Sequence, residues 1–173
     1  MAPAAVIVGP PGAGKTTVGQ TLAALLDVPF LDADAVIEAK AGKPIPEIFI
    51  DDGEPAFRAM EREAVAGTLG SFEGIFALGG GAIMDPGTRA ALAPHTVVFL
   101  SVELPDAVKR VGLGAGRPLL SVNPRATLKY LMEQRRPLYA EVATHTIATD
   151  GREPEAIAAQ LAALLAPAGD ATT

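Results

Sequence analysis

Apolar and polar positions along the chain switch repeatedly between two periods. Short apolar runs bounded by turn residues occur at Ala4–Val8, Val28–Leu31, Gly74–Leu78, Thr96–Leu100 and His145–Ala148, and each reads as a strand. Between them, Lys15–Leu26, Gly53–Leu69, Pro86–Leu92, Pro105–Val111, Pro124–Tyr139 and Pro154–Leu165 carry helical spacing, with a shorter helix over Ala35–Ala39. In the last long one, Ile157, Leu161, Leu164 and Leu165 recur at i, i+4, i+7 and i+8 and form one apolar face. Near-continuous apolar strands alternating with helices predict an α/β fold, a three-layer α/β/α arrangement around a five-stranded parallel sheet. Such sheets bind ligands outside the carboxyl ends of their strands, so chemistry is expected after Val8, Leu31, Leu78 and Leu100.

Two stretches break the pattern. Residues 112–124, G-L-G-A-G-R-P-L-L-S-V-N-P, have the glycine and proline content of a mobile lid over a site. From Ala166 the chain reads A-P-A-G-D-A-T-T without periodicity, which predicts a disordered tail over 166–173. Residues 1–165 are expected to form a single domain, because 173 residues suit one sizeable core better than two. The absence of cysteine excludes a disulfide framework, zinc–thiolate sites and a thiol nucleophile. The N-terminal segment has neither a basic n-region nor a membrane-length apolar stretch, so a soluble cytoplasmic protein is expected. With 14 Lys and Arg against 20 Asp and Glu, and no basic run, nucleic acid and membrane are not expected partners.

The first strand runs into G-P-P-G-A-G-K-T-T, Gly9 to Thr17, which fits G-x-x-x-x-G-K-[ST]. In this arrangement backbone N–H groups around Gly12, Ala13 and Gly14 converge on phosphates and the next helix offers its positive N-terminus. Lys15 reaches the β/γ-phosphates, and Thr16, followed by Thr17, ligates Mg²⁺. A nucleoside triphosphate is the implied ligand. The guanine-reading N-K-x-D is missing, since Asn123 precedes Pro124, and nothing matches the protein-kinase H-R-D loop, so a small acceptor leads.

The second strand ends in L-D-A-D, which sets Asp32 and Asp34 two residues apart on one side of an extended chain. One carboxylate suits the Mg²⁺ hydration shell and the other an attacking hydroxyl, although either Asp alone also suits a helix N-cap. Arg58 and Glu61 share a helix face at i, i+3, where an ordinary exposed ion pair is the competing reading. Arg135, in Q-R-R-P-L-Y, precedes a proline expected to end its helix, and two arginines with a glycine N–H make a fork for a carboxylate. Gly79, Gly80 and Gly81 follow an apolar run, where three glycines imply close approach or positive φ. His95 and His145 lack accompanying carboxylate or serine motifs and read as structural or exposed.

Taken jointly, G-P-P-G-A-G-K-T (9–16), L-D-A-D (31–34), F-R-A-M-E (57–61), G-G-G-A (79–82), R-P-L (117–119) and R-R-P-L-Y (135–139) resemble the shikimate kinases, small P-loop enzymes of the nucleoside-monophosphate-kinase fold. The resemblance runs from Val6 to about Leu165. It implies transfer of the γ-phosphoryl group of ATP, with Mg²⁺, to the 3-hydroxyl of shikimate, in the chorismate route to aromatic amino acids. It further implies that Asp34 engages the substrate hydroxyls and that Arg58, Arg135 and the Gly80 backbone hold its carboxylate, Arg136 being the alternative to Arg135. Gly79–Gly81 would admit the cyclohexene ring, Arg117 would swing onto the phosphates, and Arg110 and Arg152 would contact adenine. Thr16 and Asp32 would serve the metal, Phe49, Phe57, Pro118 and Leu119 would supply apolar walls, and a monomer is expected. Two other readings stay open: a gluconate-type kinase on the same fold, and an ATP-binding module without phosphoryl transfer.

Overall fold

The structure is a computed structural model that describes residues 2–111 and 124–166. The lid candidate at 112–124, with Arg117 and apart from Pro124, and the tail at 166–173, apart from Ala166, lie outside the described residues. Five strands, β1 (Ala5–Val8), β2 (Phe30–Asp32), β3 (Ile75–Ala77), β4 (Val97–Ser101) and β5 (His145–Ala148), form one sheet in the order β2-β3-β1-β4-β5. Every neighbouring pair is parallel. Among the described residues the helices are α1 (Lys15–Leu26), α2 (Ala33–Ala41), α3 (Ile45–Asp52), α4 (Glu54–Leu69), α5 (Pro86–Leu92), α6 (Leu104–Val111), α7 (Pro124–Val142) and α8 (Pro154–Leu165), with a 3₁₀ turn at Ala82–Met84.

The pleat sorts the core. Ala5 and Ile7 of β1 point to the side where Val18 and Leu22 of α1, Ala107 of α6 and Leu161 of α8 pack. Val6 and Val8 point to the opposite side, against Val65 and Leu69 of α4, Leu92 of α5 and Tyr139 of α7. Because both faces are covered, the inner strands β1 and β3 are apolar at every position and β4 at all but Ser101, which is why they read as continuous runs. The predicted three-layer architecture is therefore the observed one. The sheet order places β1 beside β3, so the loops after Val8 and Ala77 emerge next to one another at the carboxyl edge.

Three local expectations differ from the structure. Helix α3, with two prolines at its start, has no counterpart in the sequence reading. Pro44 is its N-cap and Pro46 lies in its first turn, where a missing N–H costs nothing. The missing cap comes from elsewhere: the Ile45 N–H donates to Glu38 Oε2 of α2 at 2.8 Å. Lys43, bonded to Asp51 and Asp52 at 3.1 and 2.8 Å, ties the far end of the same helix. Second, α7 does not stop before Pro137 but runs on to Val142. Proline removes the bond to the Glu133 carbonyl, yet burial of Tyr139 and packing of Leu138 and Val142 against the second core hold the continuation. Third, L-D-A-D is not wholly extended. β2 ends at Asp32, and Asp34 sits in the first turn of α2.

The Glu38 cap makes a local prediction. Glu38→Ala should cost about 1 kcal/mol and raise amide hydrogen exchange across 45–52, with the protection of β1 and β3 unchanged. Equal protection of α3 in variant and wild type would show that the cap contributes nothing.

Candidate active site

At the end of β1 the chain turns through Gly9, Gly12 and Gly14, which have φ of 156°, 85° and 88°, and Gly14 is the left-handed N-cap of α1. These dihedrals are the reason the motif needs glycine. Lys15 lies folded over the loop, its Nζ donating to the Gly9 and Pro10 carbonyls at 2.8 and 3.1 Å. A cleft of about 500 Å³ opens over this loop. Gly12, Ala13, Gly14, Lys15, Thr16 and Thr17 line its floor, Asp32, Asp34, Gly79 and Gly80 one end, and Arg110, Arg152 and Pro154 the other.

Asp32 is the N-cap weighed for it and also meets Thr16. Its Oδ1 accepts from the Asp34 N–H at 2.8 Å, capping α2, while Oδ2 accepts from Thr16 Oγ1 at 3.2 Å. A hydroxyl and a carboxylate oxygen side by side at the phosphate cradle fit Mg²⁺, which takes one or two protein oxygens and completes its shell with water and phosphate. Among the described residues no group of three or more His, Cys, Asp or Glu could hold a metal. Arg110 is heavily engaged: Nη1 donates to the Gly12 carbonyl at 3.1 Å and to Thr149 Oγ1 at 3.0 Å, and Nη2 donates to the Thr149 carbonyl at 2.8 Å. It braces the phosphate loop against the segment after β5 as well as lining the cleft.

The glycine triplet has a structural explanation. None of Gly79, Gly80 and Gly81 has positive φ, so close approach is what excludes a side chain. A Cβ on Gly79 would lie 3.2 Å from both Asp34 Oδ1 and Glu61 Oε2; on Gly80, 3.2 Å from Pro11 Cδ and 3.4 Å from Arg135 Nη1. On Gly81 it would lie 2.6 Å from both Arg58 Nη atoms. The space expected to admit a substrate ring is thus bordered by the site's own charged groups.

Beyond the turn is a second cleft, of about 430 Å³, lined by Arg58, Glu61, Gly81 and Arg135. The phosphate loop and Asp34 therefore line one cleft, Arg58 and Arg135 the other, and the glycine turn stands where they meet. Arg58 donates to Glu61 Oε1 at 2.8 Å and lies over the Phe57 ring at 5.2 Å, and Phe57 in turn meets Phe49 at 4.9 Å. Arg135 is buried, only 5% exposed, and among the described residues its Nε has no hydrogen-bond partner. Arg136, its neighbour, points outward to Glu103 at 3.7 Å. A buried guanidinium with a donor left over marks a place for an anion.

Two members escaped the sequence reading as site residues. Glu61 was visible only as the partner of Arg58, yet it is buried beside Gly79. Tyr139 read as the end of a helix, yet its hydroxyl donates to the Gly80 carbonyl at 2.6 Å. Burial first, then the charges of Asp32 and Glu61, pushes the Asp34 carboxyl up to about 6, against the opposing pull of Lys15. Burial also raises Glu61, with Arg58 acting against the shift.

The family model described as shikimate kinase matches residues 11–166. The chain belongs to the shikimate kinase family. It is 70% identical over 166 residues to the shikimate kinase of Salinispora arenicola, covering 96% of this chain and 99% of that protein. To the shikimate kinase of Thermobifida fusca it is 56% identical, with 97% and 98% covered. Among solved structures, shikimate kinase from Acinetobacter baumannii in complex with shikimate superposes with a TM-score of 0.90 at 39% identity, covering 95% of this chain and 93% of that one. Among the described residues no helix is long and apolar enough to cross a membrane.

The Asp34 environment sets a sign for stability. The folded carboxyl keeps its proton to about pH 6 and the unfolded one loses it near 3.8, so ionisation weakens the fold as pH rises through that window. In protein free of nucleotide and metal, Asp34→Asn is expected to raise stability at pH 7.5 by about 1–2 kcal/mol after screening at this partly covered site. The gain should fade toward pH 4. Thermal melts showing the same difference at both pH values would contradict it.

Proposed function

We propose that this chain transfers the γ-phosphoryl group of ATP to the 3-hydroxyl of shikimate, giving shikimate 3-phosphate and ADP. The observation that carries the reading is the meeting of a phosphate-binding loop, a carboxylate of raised pKa and two arginines at one glycine turn. The loop amides of 12–17 and Lys15 hold the triphosphate, which requires Lys15 to leave the Gly9 and Pro10 carbonyls. Arg110, Arg152 and Pro154 form the far end of the same cleft, where the base is accommodated. Mg²⁺, held through Thr16 and Asp32, supplies charge neutralisation at the phosphates when bound.

Asp34 accepts a hydrogen bond from the attacking hydroxyl and orients it. A carboxyl titrating near 6 is ionised at neutral pH and still basic enough to take the proton as the bond to phosphorus forms. Arg58 and Arg135 hold the acceptor's carboxylate across the turn, with Arg58 itself set by Glu61. Arg117, from the segment outside the described residues, joins the phosphates as the family pattern implies. Phosphoryl transfer asks the protein mainly for alignment and charge stabilisation, and these groups provide both. A monomeric cytoplasmic enzyme completes the proposal.

ADP release from Mg-ATP, measured with shikimate, quinate and gluconate as acceptors, tests the reading directly. Shikimate should stimulate release strongly, and Lys15→Ala and Asp34→Asn should abolish the stimulation. Gluconate outperforming shikimate would move the chain to a different acceptor, and ATP binding without turnover on any acceptor would make it a binding module. Arg58→Ala is expected to weaken shikimate binding by roughly 1.5–3 kcal/mol, seen as a raised KM. A KM unchanged in that variant would reduce Arg58 to a surface charge.

A further inference from the structure

The turn at Gly79–Gly81 has to present N–H groups to an anion, yet three glycines in sequence have no side chains to hold them in one orientation. Tertiary contacts supply the missing restraint. In a trans peptide the C=O and the following N–H point in opposite directions, so fixing a carbonyl fixes the next amide. All peptides of the described chain are trans. The Gly79 carbonyl accepts from the Ala82 N–H at 3.2 Å, which turns the Gly80 N–H the other way. The Gly80 carbonyl accepts from the Tyr139 hydroxyl at 2.6 Å, which does the same for the Gly81 N–H.

Tyr139 is well built for this. It is 1% exposed, its ring stacks on Phe99 of β4 at 5.1 Å, and Arg135 lies beside its hydroxyl, one helical turn earlier on α7. Burial above all holds the phenol up at about 12, so it remains a donor throughout the working range of pH. One side chain therefore touches the carbonyl behind the turn and the guanidinium beside it.

We propose that Tyr139 is a positioning residue for acceptor binding: its hydroxyl, by holding the Gly80 carbonyl toward the core, aims the Gly81 amide outward to the acceptor's carboxylate and keeps Arg135 in register with it. This rests on the acceptor being a carboxylate, as in the shikimate reading. Wild-type turnover of shikimate reports on that reading, and the ratio of variant to wild type reports on Tyr139.

Tyr139→Phe removes only the hydroxyl and keeps the stack on Phe99. The expected result is a shikimate KM raised about tenfold, with kcat and the KM for ATP changed less than about twofold. The methyl ester of shikimate, which lacks the carboxylate charge, should show little difference between variant and wild type. An equal loss on acid and ester, or a lower Tm with an unchanged shikimate KM, would make Tyr139 a packing residue and overturn the proposal. Should Tyr139→Phe fail to fold, wild-type protein carrying 3-fluorotyrosine at its two tyrosines serves instead. The Tyr139 ¹⁹F resonance should shift on adding shikimate while that of exposed Tyr130 stays fixed, and a Tyr139 signal indifferent to shikimate would equally overturn it.

Discussion

The site depends on three consecutive residues without a Cβ at the carboxyl end of β3. Asp34 and Glu61 crowd the first, Pro11 and Arg135 the second, and Arg58 the third, at distances that leave no room for a methyl group on Gly81 and little on the others. A side chain on Gly81 would have to push the Arg58 guanidinium off its ion pair with Glu61, while at Gly80 the neighbour is the buried Arg135, which has less room to move. The turn is thus a spacer of minimal thickness. It lets the acid from α2, the ion pair from α4 and the arginine from α7 reach a common edge from three directions.

The sheet makes that edge possible. With β1 flanked by β3 and β4, the phosphate loop after β1 emerges directly beside the glycine turn after β3, and Pro11 of one packs on Gly80 of the other. Asp32, at the end of β2, reaches Thr16 from the other side of β3. Three parallel strands ending together bring Lys15, Asp32 and the glycine turn to one cleft, which is the general advantage of a parallel sheet with its loops at one edge.

Electrostatics at this edge are set by opposed charges in partial burial. Burial raises the proton affinity of both Asp34 and Glu61, and the charges of Asp32 and Glu61 add to it at Asp34, while Lys15 opposes the shift at Asp34 and Arg58 at Glu61. Such an arrangement weakens the ligand-free fold locally and prepares it for charged substrates, a familiar exchange of stability for function. The brace from Arg110 to Gly12 and Thr149 and the hold of Tyr139 on Gly80 keep the backbone fixed while the charges remain available.

By itself, the amino-acid sequence determined the strand and helix alternation, the phosphate loop and the family, because these rest on local periodicity and on a motif whose residues are contiguous. It located Asp34, Arg58 and the glycines as candidates, since each sits in a short pattern with chemical meaning. It missed α3, whose cap is donated by Glu38 from another helix, and misjudged the end of α7, where burial of Tyr139 outweighs a proline. It favoured Arg135 over Arg136, and packing shows which of the two is buried beside Gly80 and which pairs with Glu103 at the surface. The division of the site into two clefts, the inward face of Glu61 and the bond from Tyr139 to a carbonyl 59 residues away are properties of tertiary structure, because they depend on contacts between segments that no local pattern connects.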